Sequence, residues 1–228
     1  MNIFADKLYQ NFIVDDRYLY LVQGLGNTFV ITIFATLLGV TLGFLVAIIR
    51  SASDQTGKLK AANFLCKLYL TIIRGTPTMI QLMIMYYVIF VSMDNKILVA
   101  ILAFGINSGA YVAEIVRSGI MSIEKGQAEA GRSLGLNYTQ TMWHIIIPQA
   151  FKNVLPALVN EFITLLKETS ISGYIGVMDL TRGGDIIRSR TFEAFLPLIT
   201  VALIYLVIVM ILTSLEGRLE RRLRSSDR

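Results

Sequence analysis

Long uncharged runs alternate with short polar ones along this chain. Tyr18 to Ile49 carries no charge and is bounded by Arg17 and Arg50. At 1.5 Å per residue that run is about 48 Å long as a helix, more than a hydrocarbon core of about 30 Å requires. Gly24 and Gly26 therefore predict a bend, with a first membrane span at about residues 20–49. A second apolar segment, about 66–93, is broken near its start by Arg74 and then by Gly75-Thr76-Pro77. Proline inside a membrane helix frees backbone groups and permits a kink. A third segment, about 97–117, is uncharged until Glu114. Its Asn107, Ser108, Tyr111 and Glu114 fall at helical spacing, so they form one polar stripe. Such a stripe faces either a neighbouring helix or a water-filled path rather than lipid. The fourth segment, about 154–172, is the weakest, because Asn160, Glu161, Thr164, Lys167 and Glu168 interrupt it. Residues 173–193 read as a mixed loop. The fifth segment, about 194–215, is uncharged and precedes a basic tail with Arg218, Arg221, Arg222, Arg224 and Arg228.

Between the third and fourth segments lies a stretch too polar to cross a bilayer, residues 121–148. Its pattern predicts two short helices. Ser122 is placed to cap the first, which runs to Leu134 with Glu124 in its first turn. Gly135 ends it. Asn137 with Gln140 three residues later matches a capping box for the second, which runs to Ile147 before Pro148 redirects the chain.

Composition agrees with a membrane protein: 54% of the 228 residues are hydrophobic and 16% charged, against about 25% charged in soluble domains. The chain reads as one all-α integral membrane domain, 1–228, of about five transmembrane helices. Its net charge of +5 sits at helix ends, which points to the positive-inside rule and not to nucleic acid. A cytoplasmic tail places the basic 50–67 loop and the 121–148 hairpin inside as well. Five crossings then put the N-terminus, with Asp6, Asp15 and Asp16, outside.

The chemistry is sparse. No phosphate-binding Gly-x-x-x-x-Gly-Lys-Ser/Thr loop occurs, so ATP hydrolysis is not expected of this chain. The single histidine, His144, lies in the polar hairpin and reads as a surface contact; neither a metal site nor a histidine triad is expected. The lone Cys66 excludes an internal disulfide. Glu161 is the leading functional candidate, because a carboxylate at membrane depth is costly unless it is paired or wet. A structural ion pair or a helix-capping role explains it equally simply.

Glu129-Ala130-Gly131, three residues, Gly135, nine residues and then Ile145-Ile146-Ile147-Pro148 resembles the EAA loop of permease subunits of bacterial ATP-binding-cassette importers. Gly131 stands where the family pattern has its second alanine, and Ile147 where it has leucine. Arg74-Gly75-Thr76-Pro77 with Gln81, the run from Ser108 to Ile115, Arg117-Ser118-Gly119-Ile120, Gly126-Gln127, Pro148-Gln149-Ala150, Asn160-Glu161-Phe162-Ile163 and Leu166 to Ser170 extend the likeness to the polar amino acid uptake branch. The resemblance implies a permease acting as a homodimer or heterodimer in the bacterial inner membrane, with a cytoplasmic ATPase subunit that binds ATP and magnesium and an extracytoplasmic amino acid binding protein. This chain itself would hold no cofactor. Glu129, Ala130, Gly131, Gly135 and Pro148 would then form the ATPase-coupling hairpin, with Leu134, Leu136 and Met142 packing on the partner. Gln81, Asn107, Ser108, Glu161 and Thr164 are the expected substrate contacts. A buried acid favours a basic amino acid such as arginine, lysine or histidine, yet it can also hold the α-ammonium of any amino acid. A secondary transporter driven by an ion gradient, with Glu114 and Glu161 as ion sites, is the rival reading; the odd helix count, the lack of an internal repeat and the polar hairpin weigh against it.

Overall fold

The computed structural model describes residues 3–225, and every element among them is helical. A short helix α1 (Ile3–Leu8) and irregular turns lead into α2 (Tyr18–Thr56), which runs 39 residues without a break. The expected bend at Gly24 and Gly26 is absent. A Cβ on Gly24 would lie 2.5 Å from the carbonyl oxygen of Asp179, so this glycine permits backbone contact, whereas Gly26 has nothing within 4 Å. The basic 50–67 stretch is mostly helical too. Gly57 closes α2 in the left-handed region (φ +64°), donating its N–H to the Ser53 carbonyl at 3.0 Å, the usual glycine device at a helix end. Helix α3 (Lys60–Gly75) follows directly.

At Gly75-Thr76-Pro77 the chain turns by 110° into α4 (Thr78–Ile84) and a π-helical turn at Met85–Ile89. This is far sharper than a proline kink, and it strands the carbonyls that end α3. The Gln81 amide answers them, donating to Ile73 O at 2.7 Å, Thr76 O at 3.0 Å and Thr76 Oγ1 at 2.8 Å. Helix α5 (Lys96–Met121) starts at Asn95, whose side chain accepts from the Leu98 N–H at 3.1 Å. It is the central helix. Against α2 it packs small residues into close reach: Gly39 and Gly43 face Ser108 and Val112, while Gly105 and Gly109 face Leu38 and Leu42. Glycines four apart on both helices are the membrane route to tight crossing, since lipid supplies no hydrophobic drive between helices.

Helices α6 (Lys125–Ser133) and α7 (Tyr138–Thr141) form the hairpin, and α8 (Ile147–Glu168) carries the fourth segment. The 173–193 stretch is not a loop. A 3₁₀ turn at Thr169–Ile175 and an extended link end at Asp179, which caps α9 (Leu180–Thr191) by accepting from the Arg182 N–H at 2.8 Å. Helix α10 (Phe195–Ser225) absorbs the basic tail up to Arg224, while Arg228 lies outside the described residues. Among the described residues three helices are long and apolar enough to cross a membrane: α2, α5 and α10; the bent α3–α4 pair makes four at most. Helix α8 is not among them, its stretch of charged and amide residues lowering its hydropathy. The largest core cluster joins α2 (Ile31, Ala35), α4 (Leu82), α5 (Phe104) and α8 (Leu165) beneath the 169–179 link.

Candidate functional site

The polar stripe of α5 is where three other helices meet it. Asn107 and Ser108 are fully buried. The Asn107 amide donates to Gln81 Oε1 on α4 at 2.9 Å, and the Ser108 hydroxyl donates to Glu161 Oε1 on α8 at 2.8 Å. Further along, Glu114 pairs with Arg74 of α3 at 3.3 Å, and the Arg74 guanidinium stands 5.9 Å from the Tyr111 ring centroid. Both members of that ion pair are more than a third exposed, so it stabilises the fold by at most about 1 kcal/mol. Its position matters more than its strength. Arg74, Glu114 and Tyr111, with Ser118, Asn153 and Glu161, line a cleft of about 440 Å³ between α3, α5 and α8, a volume in the usual range for small-molecule sites.

The five expected substrate contacts therefore divide. Glu161 lines the cleft. Ser108 stands behind it and holds one of its carboxylate oxygens. Asn107 and Gln81 are joined to each other and to the Gly75–Pro77 break, one layer away from the opening. Thr164 is half-buried one turn beyond Glu161 and is not a lining residue. Arg74, Tyr111 and Glu114 reach the cleft although they were not among the expected contacts. The signal for two of them was present in the stripe, since Tyr111 and Glu114 continue the spacing of Asn107 and Ser108. Arg74 was visible as a charge just before the Gly75-Thr76-Pro77 break, but only the packing of α3 against α5 shows that it meets Glu114.

The hairpin follows its expected outline with local differences. Helix α6 is preceded by Glu124 at its cap position and not by Ser122, whose hydroxyl instead donates to Gly119 O at 2.7 Å and accepts from the Asn153 amide at 2.8 Å. The capping box at Asn137 and Gln140 is present in both directions, each contact at 2.9 Å. Gly135 adopts φ +81°, where a side chain would be strained. Gly131 is buried, and a Cβ there would lie 2.8 Å from Thr141 Cγ2, so the glycine lets α6 lie directly on α7. Glu129 and Ala130 face solvent. Leu134 is 78% exposed, while Leu136 and Met142 are half-buried. Trp143 at 67% and Tyr138 at 49% add an apolar surface that sequence reasoning did not single out.

Pro148 does not redirect the chain. The π-helical turn at Met142–Ile146 precedes it, with the Ile147 N–H donating to Met142 O. The wider turn accommodates a residue that lacks its own N–H. The helical run is continuous from Tyr138 to Glu168, with its regular hydrogen bonding interrupted at the π-helical turn and at Pro156, so the second arm of the hairpin and Glu161 lie on one helical path.

Residues 39–225 match the model of the binding-protein-dependent transport system inner membrane component family. The arginine transport system permease protein ArtQ of Bacillus subtilis (strain 168) is 37% identical over 91% of this chain and 94% of its own length. A putative glutamine transport system permease protein, GlnP of Rickettsia typhi, is 36% identical over the same shares. Among solved structures, the crystal structure of an amino acid ABC transporter with histidines superimposes with a TM-score of 0.84 at 40% identity, covering 92% of this chain and 98% of that one. The inward-facing methionine ABC transporter MetNI shares the fold, with a TM-score of 0.74 at 21% identity over 90% of this chain and 97% of its own.

Proposed function

The chain belongs to the family of binding-protein-dependent transport system inner membrane components, and from that premise we propose that it forms the translocation pathway for a polar amino acid in an ATP-driven importer. The observation that carries this reading is the single helical run from Tyr138 to Glu168. It joins the exposed hairpin to the carboxylate at the cleft over 23 residues, about 35 Å at 1.5 Å per residue. A partner ATPase supplies ATP and magnesium binding and hydrolysis. It grips the hairpin at Glu129, Ala130 and the Leu134–Trp143 surface, with Gly131, Gly135 and Pro148 fixing the hairpin's shape. Movement of the hairpin then reaches Glu161 along one helical path, which suits alternating access.

In the cleft, Glu161 holds a substrate ammonium, oriented by the Ser108 hydroxyl on its other oxygen. Asn107 and Gln81 set the wall behind it, and Thr164 extends the same face of α8 one turn on. Relatives named for arginine and glutamine support a polar amino acid, and the carboxylate favours a basic one. The chain acts with a second permease subunit and an extracytoplasmic binding protein. It spans the bacterial inner membrane about five times, with α8 as the least apolar crossing. The N-terminus is outside and the C-terminus inside, as the basic 218–224 stretch supports.

The test is uptake of radiolabelled arginine, histidine, glutamine and glutamate into proteoliposomes holding this chain with its co-purified ATPase. Accumulation should require ATP and added binding protein, and Glu161→Gln should abolish it while the complex still assembles. Uptake driven by an imposed ion gradient without ATP, or wild-type transport by Glu161→Gln, overturns the reading.

A further inference from the structure

A second cavity of about 600 Å³ opens between α2, α3 and α5, on the far side of the Arg74–Glu114 pair from the amino acid cleft. Arg50, Lys67, Thr71, Arg74, Tyr111 and Glu114 are among its lining residues. Three cations face one carboxylate, and that carboxylate is already engaged by Arg74. A cavity with this excess of positive charge, two of its cations guanidinium groups with several N–H donors each, fits an anion that accepts several hydrogen bonds at once, as a phosphate does.

Helix α3 adds a second, independent feature. Lys60, Lys67 and Arg74 recur every seven residues, two turns apart, so they lie along one side of the helix. Phe64, Leu68 and Ile72 recur every four residues, a row about a quarter turn round the helix from the basic one that starts three residues before Lys67, and they are 66%, 45% and 51% exposed. A free phosphate would use the basic row and leave the apolar row idle. A phospholipid uses both, with its headgroup in the cavity and its acyl chains along the ridge.

We propose that the cavity between α2, α3 and α5 binds the phosphate headgroup of an anionic phospholipid, whose acyl chains lie on the Phe64–Leu68–Ile72 ridge. Arg50 and Lys67 are the residues that select it, since Arg74 is shared with the Glu114 pair. Assignment to the inner leaflet rests on the orientation proposed above; binding itself does not, so the two fail separately.

The experiment is native mass spectrometry of the whole permease–ATPase complex, titrated in detergent with phosphatidylglycerol, phosphatidylcholine or inorganic phosphate. The wild type should retain phosphatidylglycerol over phosphatidylcholine by roughly tenfold or more, given the contribution of each basic residue to anionic lipid binding. Arg50→Gln with Lys67→Gln should erase that preference, and Arg50→Lys with Lys67→Arg should keep it. Equal retention of the two lipids, an unchanged preference in the glutamine pair, or full displacement of the lipid by millimolar phosphate overturns the proposal. If the glutamine pair does not assemble, the wild-type competition between the two lipids decides alone.

Discussion

Gly24 and Gly26 are two residues apart on α2 and identical in sequence terms, yet they should respond oppositely to alanine. In Gly24→Ala the new Cβ would lie 2.5 Å from Asp179 O, 2.7 Å from Asp179 C and 2.9 Å from Leu180 Cα. All three are backbone atoms, so no rotamer change relieves the contact. The 178–180 link would have to move, and it is fastened to α2 by the Asn27 amide donating to Met178 O at 2.8 Å and the Leu180 N–H donating to Thr28 Oγ1 at 3.2 Å. Overpacking of this kind costs about 1–3 kcal/mol, here toward the upper end, offset by up to about 1 kcal/mol of helix propensity. The net loss is about 1–2 kcal/mol, or roughly 2–8 °C in Tm for a chain of this size. Gly26→Ala meets nothing within 4 Å and keeps only the propensity gain, so its Tm should rise by about 2–4 °C. The single Cys66 is buried, which makes it a reporter: a thiol-reactive fluorophore in detergent should label it only as the chain unfolds. If both variants shift Tm in the same direction by similar amounts, the glycines act as a shared flexible point and the close-approach argument is wrong.

Other substitutions test other joints. Asn137→Ala removes the capping box and should cost about 1 kcal/mol, seen as roughly fivefold faster hydrogen exchange at the α7 amides. Gly131→Ala should weaken the hairpin in the wild-type background, because its Cβ meets Thr141 Cγ2 at 2.8 Å and Oγ1 at 2.9 Å. In a Thr141→Ala background the two closest contacts are gone and Ile145 Cδ1 at 3.1 Å remains, so the loss should shrink, and co-purification of the ATPase reads the difference. Burial raises the Asp179 carboxyl above the ordinary Asp range, partly countered by its bonds from Arg182, Ser172, Gly173 and Thr181. The unfolded chain keeps the ordinary value of about 3.9, so the ionised group costs stability at neutral pH. That cost should shrink as pH falls through the raised value toward 4, and the Tm difference between wild type and Asp179→Asn should change over that window. A flat difference would show that Asp179 ionises as it does in the open chain.

The parts legible in the sequence were those with a local cause. The Asn137–Gln140 capping box needs only a three-residue spacing and one backbone turn, and it formed as read. Gly135 needed only its own left-handed conformation. The polar stripe of α5 needed only helical periodicity. What stayed hidden depended on a partner far along the chain. Gly24 reads as a bend until Asp179 is known to lie on it, 155 residues away. Pro148 reads as a break until the π-helical turn before it is seen to take up the missing N–H. Arg74 reads as a stray charge until α3 is seen to pack on α5, where it pairs with Glu114. The sharp turn itself is marked by Gly75-Thr76-Pro77, but its fastening is not: the Gln81 amide nitrogen reaches across the break to Ile73 O, Thr76 O and Thr76 Oγ1, sharing its two hydrogens among them.

These hidden joints share a physical logic that bears on transport. Parts of the molecule are tied by close backbone contacts: glycine against backbone at Gly24, and α5 against α2 through their paired glycines. The cleft, by contrast, is bounded by contacts that exchange easily with water or a solute. The Arg74–Glu114 pair is half-exposed and weak, and Glu161 accepts a single neutral hydroxyl from Ser108. A charged solute can displace the Arg74–Glu114 partners with little loss, since both remain near water, whereas the fully buried Ser108 hydroxyl has to keep its carboxylate oxygen. On the proposed reading, a displacement at the hairpin travels along one helical path to a cleft whose ion pair is free to exchange, which is what a change of access at the carboxylate requires.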